Sequence, residues 1–346
     1  MFKKTLCLIC GLSLLFTLSA CGGADSNEPA SPPESSQTTE QVNPYIINPL
    51  TGVADLDKDK ANIRPVAIMV DNDSVAQTNT QSGISNADIV YETETEGGIT
   101  RLMAVFQDIS KVPQIGDVRS ARYVYVDLAM GHNAIYVHSG KDVVFCGPHL
   151  NDLDNFEISY GYYGERIHYG SARNWQELFT TGETLIKGFT DKKWQTTQKN
   201  VSPWQTFAAD DKSVTLTGGV ANKVTAAFNS SYISYFTYDP ATGKYIKTSS
   251  KCNNTDRNDG SSYEFENVFV LKTTMGYYDG NYRRDIALDS GSGYYAVNGT
   301  YEEIKWKKGD SEDSLTFTRA DGSPLTVSAG NSWVCFIKNE GKALFE

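Results

Sequence analysis

The chain has 346 residues, of which 40% are hydrophobic and 20 are Tyr, and its formal net charge is −11. That length is too great for one ordinary core and predicts two domains. The acidic balance, with Lys and Arg scattered along the chain, excludes a nucleic-acid partner, which needs a basic face to displace counterions.

Met1-Phe2-Lys3-Lys4 is a short basic segment and Thr5 to Ala20 an apolar one. Residues 1–20 therefore read as a signal peptide, too short for a comfortable transmembrane helix. Leu18-Ser19-Ala20-Cys21 resembles the lipobox of bacterial lipoproteins. In that family the cysteine sulfur receives a diacylglyceryl group and the peptide before it is removed. The resemblance implies lipidation at Cys21 and an extracytoplasmic location, anchored to the cell membrane by the N-terminal lipid. The alternative is an ordinary cleaved signal in which Cys21 is incidental. Cleavage removes Lys3 and Lys4 and takes the net charge from −11 to −13. Residues 21–44 then form the lipidated cysteine and a tether rich in Ser, Pro, Glu, Gln and Thr, which cannot bury enough surface to offset its ordering entropy. Three cysteines follow, Cys146, Cys252 and Cys335, with no CxxC spacing. One disulfide and buried free thiols are both open.

Residues 45–204 read as an α/β domain. Arg64 to Val70 is an apolar run suited to a buried strand, ending at the polar cluster Asp71-Asn72-Asp73. Asp71 does not open an EF-hand, because Ala76 stands where that loop needs Gly and Ser82 where it needs Glu. Ile89 to Gln107 reads as a hairpin about Gly97-Gly98. A two-residue turn there sets Glu94 opposite Arg101 and puts Glu92, Glu94, Glu96 and Arg101 on one face. The spacing predicts a helix over Ser120 to Met130, capped by Ser120 or Asp117, and a strand over Ala134 to His138. Asn174 to Phe189 reads as a second helix.

After Trp204, Gly-containing turns punctuate short runs rich in Tyr, Val, Phe and Thr, and residues 219–346 read as a smaller β-rich domain. Asn298-Gly299 is a strong two-residue hairpin signal. The boundary falls within 203–221, and a chain from Gly219 onward is expected to fold alone. Asn253 to Gly260 is calcium-loop-like in composition but out of register, and reads as a polar turn.

Several blocks resemble the YerB-like bacterial lipoproteins, a two-domain family of uncharacterised activity. They include Asn48-Pro49-Leu50-Thr51-Gly52, Arg64 to Asn72, Ala87-Asp88-Ile89-Val90-Tyr91-Glu92, Glu96-Gly97-Gly98-Ile99-Thr100-Arg101 and Val118-Arg119-Ser120-Ala121-Arg122. In the second domain Thr242-Gly243-Lys244-Tyr245 and Gly291-Ser292-Gly293-Tyr294-Tyr295 fit the same pattern. Glu92, Glu96 and Arg101 fall on the family's motif. One departure stands out: the family commonly has Pro-His-Asn where this chain has Trp175-Gln176-Glu177, so chemistry that depends on that histidine is in doubt here.

No GxSxG, HExxH, Walker A or GxGxxG pattern occurs, no metal site or cofactor is expected, and no catalytic residue is assigned. His138 at a strand end is either a general base or a core histidine, and Cys146 reads as a core thiol. Arg119 and Arg122, three apart on the expected helix, share a face and suit an anion or carboxylate clamp, or else pair with Glu92, Glu96 or Asp127. Asp71, Glu92, Glu96, Arg101, Arg119, Arg122 and His138 all sit near ends of strands or helices. At least four of these seven are expected to line one polar pocket. Three functions stay open: a binding protein for an envelope ligand (a cell-wall glycan or an anionic fragment), an envelope hydrolase or transferase using Glu92 or Glu96 with Arg101, Arg119 and Arg122, and a scaffold for another envelope protein.

Overall fold

The computed structural model describes residues 44–209, 213–280 and 282–346. The expected signal peptide, Cys21 and nearly all of the expected tether lie outside the described residues. Eleven strands build the main sheet: β1 (Val66–Asp71), β2 (Ile89–Glu94), β3 (Thr100–Phe106), β4 (Ile135–His138), β5 (Asn155–Glu157), β6 (Gly219–Val220), β7 (Asn267–Thr273), β8 (Ser290–Val297), β9 (Thr300–Lys307), β10 (Thr316–Arg319) and β11 (Ser332–Lys338). Their order is β6-β9-β8-β7-β11-β2-β3-β1-β4-β5, with β10 also paired to β9. Strands β1 to β5 interleave with α1 (Ser74–Asn79) and α2 (Tyr123–Gly131), and α3 (Gly182–Asp191) follows, so the first half is mixed α/β. A second sheet of five antiparallel strands, Lys223–Ala227, Ile233–Asp239, Lys244–Ser249, Tyr263–Phe265 and Ala343–Phe345, makes the second half β-rich.

The two halves share hydrogen bonds. The last long strand, β11, lies parallel to β2, with Ser332 opposite Ile89 and Phe336 opposite Thr93, and parallel to β7 on its other side. A chain starting at Gly219 would leave β11 with a bare apolar edge, since Trp333 to Ile337 are fully buried. This arrangement argues against that piece folding alone, since the two domains are continuous through one sheet.

Alternation along the central strands makes two cores. Val90, Leu102, Ile68, Trp333 and Cys335 face the five-stranded sheet, with Phe236, Tyr245 and Phe265, and the helix α3 through Leu185 and Phe189. Tyr91, Met103, Met69, Val334 and Phe336 face α2 and Trp204. The Asn298-Gly299 hairpin forms as expected. Val297 pairs with Thr300, and both turn residues take positive φ, 49° and 69°. Cys146, Cys252 and Cys335 are free thiols.

The second expected helix is corrected. Leu178–Thr180 is a strand, pairing with Ile115 and Gly116 on one side and with Glu165 and Arg166 on the other. The helix starts only at Gly182, where Thr181 Oγ1 accepts the Thr184 N–H at 3.0 Å. Leu178, Phe179, Leu185 and Phe189 are buried but Trp175 and Ile186 are exposed, so the apolar spacing did not separate one long helix from a strand followed by a shorter helix.

Candidate functional site

The β2–β3 turn sets the site, and its register differs from expectation by one residue. Thr93, not Glu94, stands opposite Arg101, and Glu94 stands opposite Thr100. The loop holds three residues, Glu96 to Gly98, closed by Thr95 N–H donating to Ile99 O at 2.7 Å. Gly97 and Gly98 both take positive φ, 68° and 73°, which explains the pair of glycines without a two-residue turn. A one-residue slip moves side chains to the other face. Glu92 and Glu94 thus share a face with Leu102, while Arg101 lies on the other face with Met103.

The expected helix at Ser120 begins later, at Tyr123, with Arg122 as an N-cap that makes no side-chain cap. The residues before it are extended because their backbone is taken: Arg119 N–H donates to Met69 O, and Ser139 N–H donates to Arg119 O, each at 2.9 Å. Arg119 and Arg122 therefore share no helix face. Arg119 Nε lies 3.1 Å from Asp71 Oδ2, and its Nη1 donates to Trp175 O at 3.0 Å. Arg122 grips Glu96 with two nitrogens, Nε donating to Oε2 at 2.7 Å. Helix α2 is tied to the turn by Tyr125, whose hydroxyl accepts the Thr93 N–H at 3.1 Å and donates to Arg101 O.

Arg101 is buried, donating to Ser120 O at 3.0 Å and lying 3.4 Å from Glu96 Oε1. Two guanidiniums thus hold one carboxylate. Burial alone would raise the Glu96 pKa, but the Arg122 hydrogen bonds and the charges of Arg101 and Arg122 outweigh it and hold the carboxyl at about 2. Burial, then the charge of Arg122, presses Arg101 down to about 10.

Glu92 lies between the two sheets, away from this cluster. Its carboxylate accepts from Asn72 Nδ2 (2.9 Å), Thr100 Oγ1 (3.0 Å), Ser234 Oγ (2.8 Å) and Trp333 Nε1 (3.1 Å). His138 is fully buried, its ring nitrogens 2.9 Å from Gly140 O and 3.2 Å from Asn155 Oδ1, and burial pushes its pKa down. It is a partnered core histidine.

A cleft opens where the β2–β3 turn, the start of α2 and the loop Asp142 to Cys146 meet the hairpin Met275–Tyr277 and Arg284–Ile286. Arg284 Nη2 lies 2.9 Å from Glu94 Oε2, and Arg283 pairs with Asp142 and with Asp279, the latter at 2.7 Å. Phe145 and Tyr278 stack with centroids 4.8 Å apart. Of the seven residues expected to converge, Glu96 and Arg122 line this cleft. The expectation of four or more is corrected for this cleft: Arg101, Arg119 and Asp71 are ion-paired outside its lining, with Arg101 Nε and Arg119 Nε making no hydrogen bond, and Glu92 and His138 are held elsewhere. The sequence reading missed Arg283, Arg284, Asp142, Phe145 and Tyr278. The run Tyr277-Tyr278-Asp279 with Tyr282-Arg283-Arg284, dense in aromatics and arginine, was the available signal.

Each carboxylate in the cleft is held by an arginine, which suits binding and positioning. Cys146 also lines it, but burial pushes its thiol up to about 12, far from a reactive thiolate. Among the described residues, no group of three or more His, Cys, Asp and Glu side chains is placed to hold a metal ion.

Two family models match this chain. Residues 50–195 match "Protein of unknown function (DUF3048) N-terminal domain", and residues 224–334 match the corresponding C-terminal domain. The chain is 29% identical over 303 residues to a Bacillus subtilis (strain 168) protein named "Putative lipoprotein YerB", covering 84% of this chain and 85% of that protein. A crystal structure of the B. subtilis YerB protein superposes with a TM-score of 0.74 at 26% identity, covering 86% of this chain and 99% of the other. The chain thus belongs to the two-domain DUF3048 family, whose function is unknown.

Proposed function

We propose that this chain is an extracytoplasmic lipoprotein, anchored to the cell membrane through lipid on Cys21, that binds an envelope ligand in the cleft at the start of α2. The lipobox and the name given to the B. subtilis relative support the anchor. One observation carries the binding reading. Glu96 and Arg122 from the first domain meet Arg283, Arg284 and Tyr278 from the second around one opening, beside the Phe145–Tyr278 stack. Aromatic faces with paired guanidinium and carboxylate groups are the chemistry that holds a sugar or an anionic wall fragment. The hydrolase reading has less support, since Glu96 is held ionised by two arginines and Glu92 faces the interior. The scaffold reading keeps one observation in its favour, an open apolar groove of about 970 Å³ beside Trp204, Phe207 and Phe317.

Hydrogen exchange tests the proposal. Solubilised cell-wall fragments should slow amide exchange in residues 142–147 and 275–286. Protection confined to other segments would remove the cleft as the binding site.

A further inference from the structure

The cleft lies at the carboxyl end of β2, and a second cavity lies at the opposite edge of the same sheet. Pro65 before β1, Gln107 after β3 and His132 at the end of α2 form its inner wall. Trp204 and Ser314 close it from the connecting segment and the second half, with Ser314 Oγ donating to Gly131 O at 2.7 Å. It holds about 150 Å³. A single water needs about 10–15 Å³ of such space, so an organic molecule has room.

Two buried side-chain atoms of that lining lack a hydrogen-bond partner, and they are of opposite kind. Gln107, 1% exposed, donates its amide N–H to Ile63 O at 2.9 Å, which leaves Oε1 as an unused acceptor. Trp204, 5% exposed, leaves Nε1 as an unused donor. Each unmade bond of this kind is costly, and a ligand that makes it recovers the cost. The lining contains no Asp, Glu, Lys or Arg. His132 adds no charge at neutral pH. Its Nε2 lies 2.8 Å from the Tyr91 hydroxyl, and burial, then the charge of Lys308, lowers its pKa to about 4.

These constraints select a ligand class. A carboxylate offers only acceptors, would set like partial charge against Gln107 Oε1, and would enter without a countercharge. An ammonium offers only donors and would leave Trp204 Nε1 unpaired. An amide offers an acceptor oxygen and a donor N–H on separate atoms and carries no charge. We propose that this cavity binds a neutral amide group, its oxygen accepting from Trp204 Nε1 and its N–H donating to Gln107 Oε1. Two sources share that chemistry, an N-acetylated sugar and a peptide backbone. The site is separate from the cleft, so its failure would leave the cleft reading untouched.

Nuclear magnetic resonance on the mature chain reads Trp204 directly. The chain has five Trp, and the indole N–H signal missing in Trp204→Phe is that of Trp204. N-acetyl-D-glucosamine or N-acetylglycinamide should move that signal, and the tighter of the two identifies the source. D-glucose, acetate and methylammonium, which lack the amide, should each bind about 10-fold more weakly or worse. Gln107→Leu, which removes the acceptor, should weaken amide binding about 10-fold. No movement with either amide, equal binding of any control, or an unchanged Kd in Gln107→Leu overturns the inference. If a variant does not fold, the comparison of amides with controls on the unaltered chain decides alone.

Discussion

Glu92 offers the sharpest mutational test, because its carboxylate holds the two domains together. Asn72 and Thr100 from the first domain and Ser234 and Trp333 from the second all donate to it. Lys247, fully buried, lies beneath, donating to Asn254 Oδ1 at 3.0 Å with its Nζ 5.0 Å from the Trp333 ring centroid. Burial lowers the Lys247 pKa, and the Glu92 charge partly restores it. Glu92→Ala strands four donors and leaves the lysine without its countercharge. Removing one partner of a buried charge network costs about 3–5 kcal/mol. At this chain length that corresponds to a fall in Tm on the order of 10 °C. Urea unfolding and calorimetry on Glu92→Ala, Lys247→Met and the double variant Glu92→Met with Lys247→Met measure it. The double variant should recover part of the loss, since removing both charges abolishes the stranded one. A loss below about 1 kcal/mol in Glu92→Ala would refute the reasoning and return Glu92 to the list of ligand-binding candidates.

Other consequences follow from the same geometry. Because the folded pKa of Glu96, about 2, lies below its ordinary 4.5, its pairing stabilises the fold above pH 4.5 and that stability is lost as pH falls toward 2. Glu96→Gln should flatten the acid limb of a stability–pH curve, and an unchanged limb contradicts the clamp. Asp88 runs the other way. Burial raises its pKa from 3.8 to about 7, so its proton is held more tightly in the fold, and the resulting stability is lost as pH rises from about 4 to 7. Asp88→Asn should remove that decline, as read by urea midpoints at pH 5 and pH 7. Gly299→Ala should cost about 1–2 kcal/mol from its positive φ, and its new Cβ would also meet the Tyr238 ring at 3.0 Å. A smaller cost would show the turn is not needed to hold the β8–β9 register. Residues 44–204 and 219–346 expressed separately should each stay unstructured by near-ultraviolet circular dichroism and regain structure on mixing. Independent folding of the second piece would contradict the shared sheet.

How much was legible depended on whether each signal was local. The strand at Val66–Asp71 and the Asn298-Gly299 hairpin were readable because a buried strand is an apolar run and a tight hairpin needs positive φ at both turn residues. The β2–β3 pairing was readable, but not its register, because Gly97-Gly98 fits a two-residue turn as well as the end of a three-residue one. That one-residue difference moved Arg101 to the face opposite Glu92. Arg119 and Arg122 looked helical because nothing local reveals that Met69 and Ser139 take the backbone before α2. The cleft was half legible. Glu96 and Arg122 carry a local motif, whereas Arg283 and Arg284 reach it only through the pairing of β11 with β2, a contact far apart in sequence.

The central claim is that the cleft binds an envelope ligand, and co-sedimentation with purified cell-wall fractions tests it most directly. The mature chain, Tyr278→Ala and Arg122→Gln would each be incubated with the fractions, and pellet and released fragments measured. The account predicts that the unaltered chain pellets with the wall and releases no fragments, and that both variants stay folded but remain in the supernatant. Equal pelleting of all three, or release of wall fragments by the unaltered chain, would contradict it.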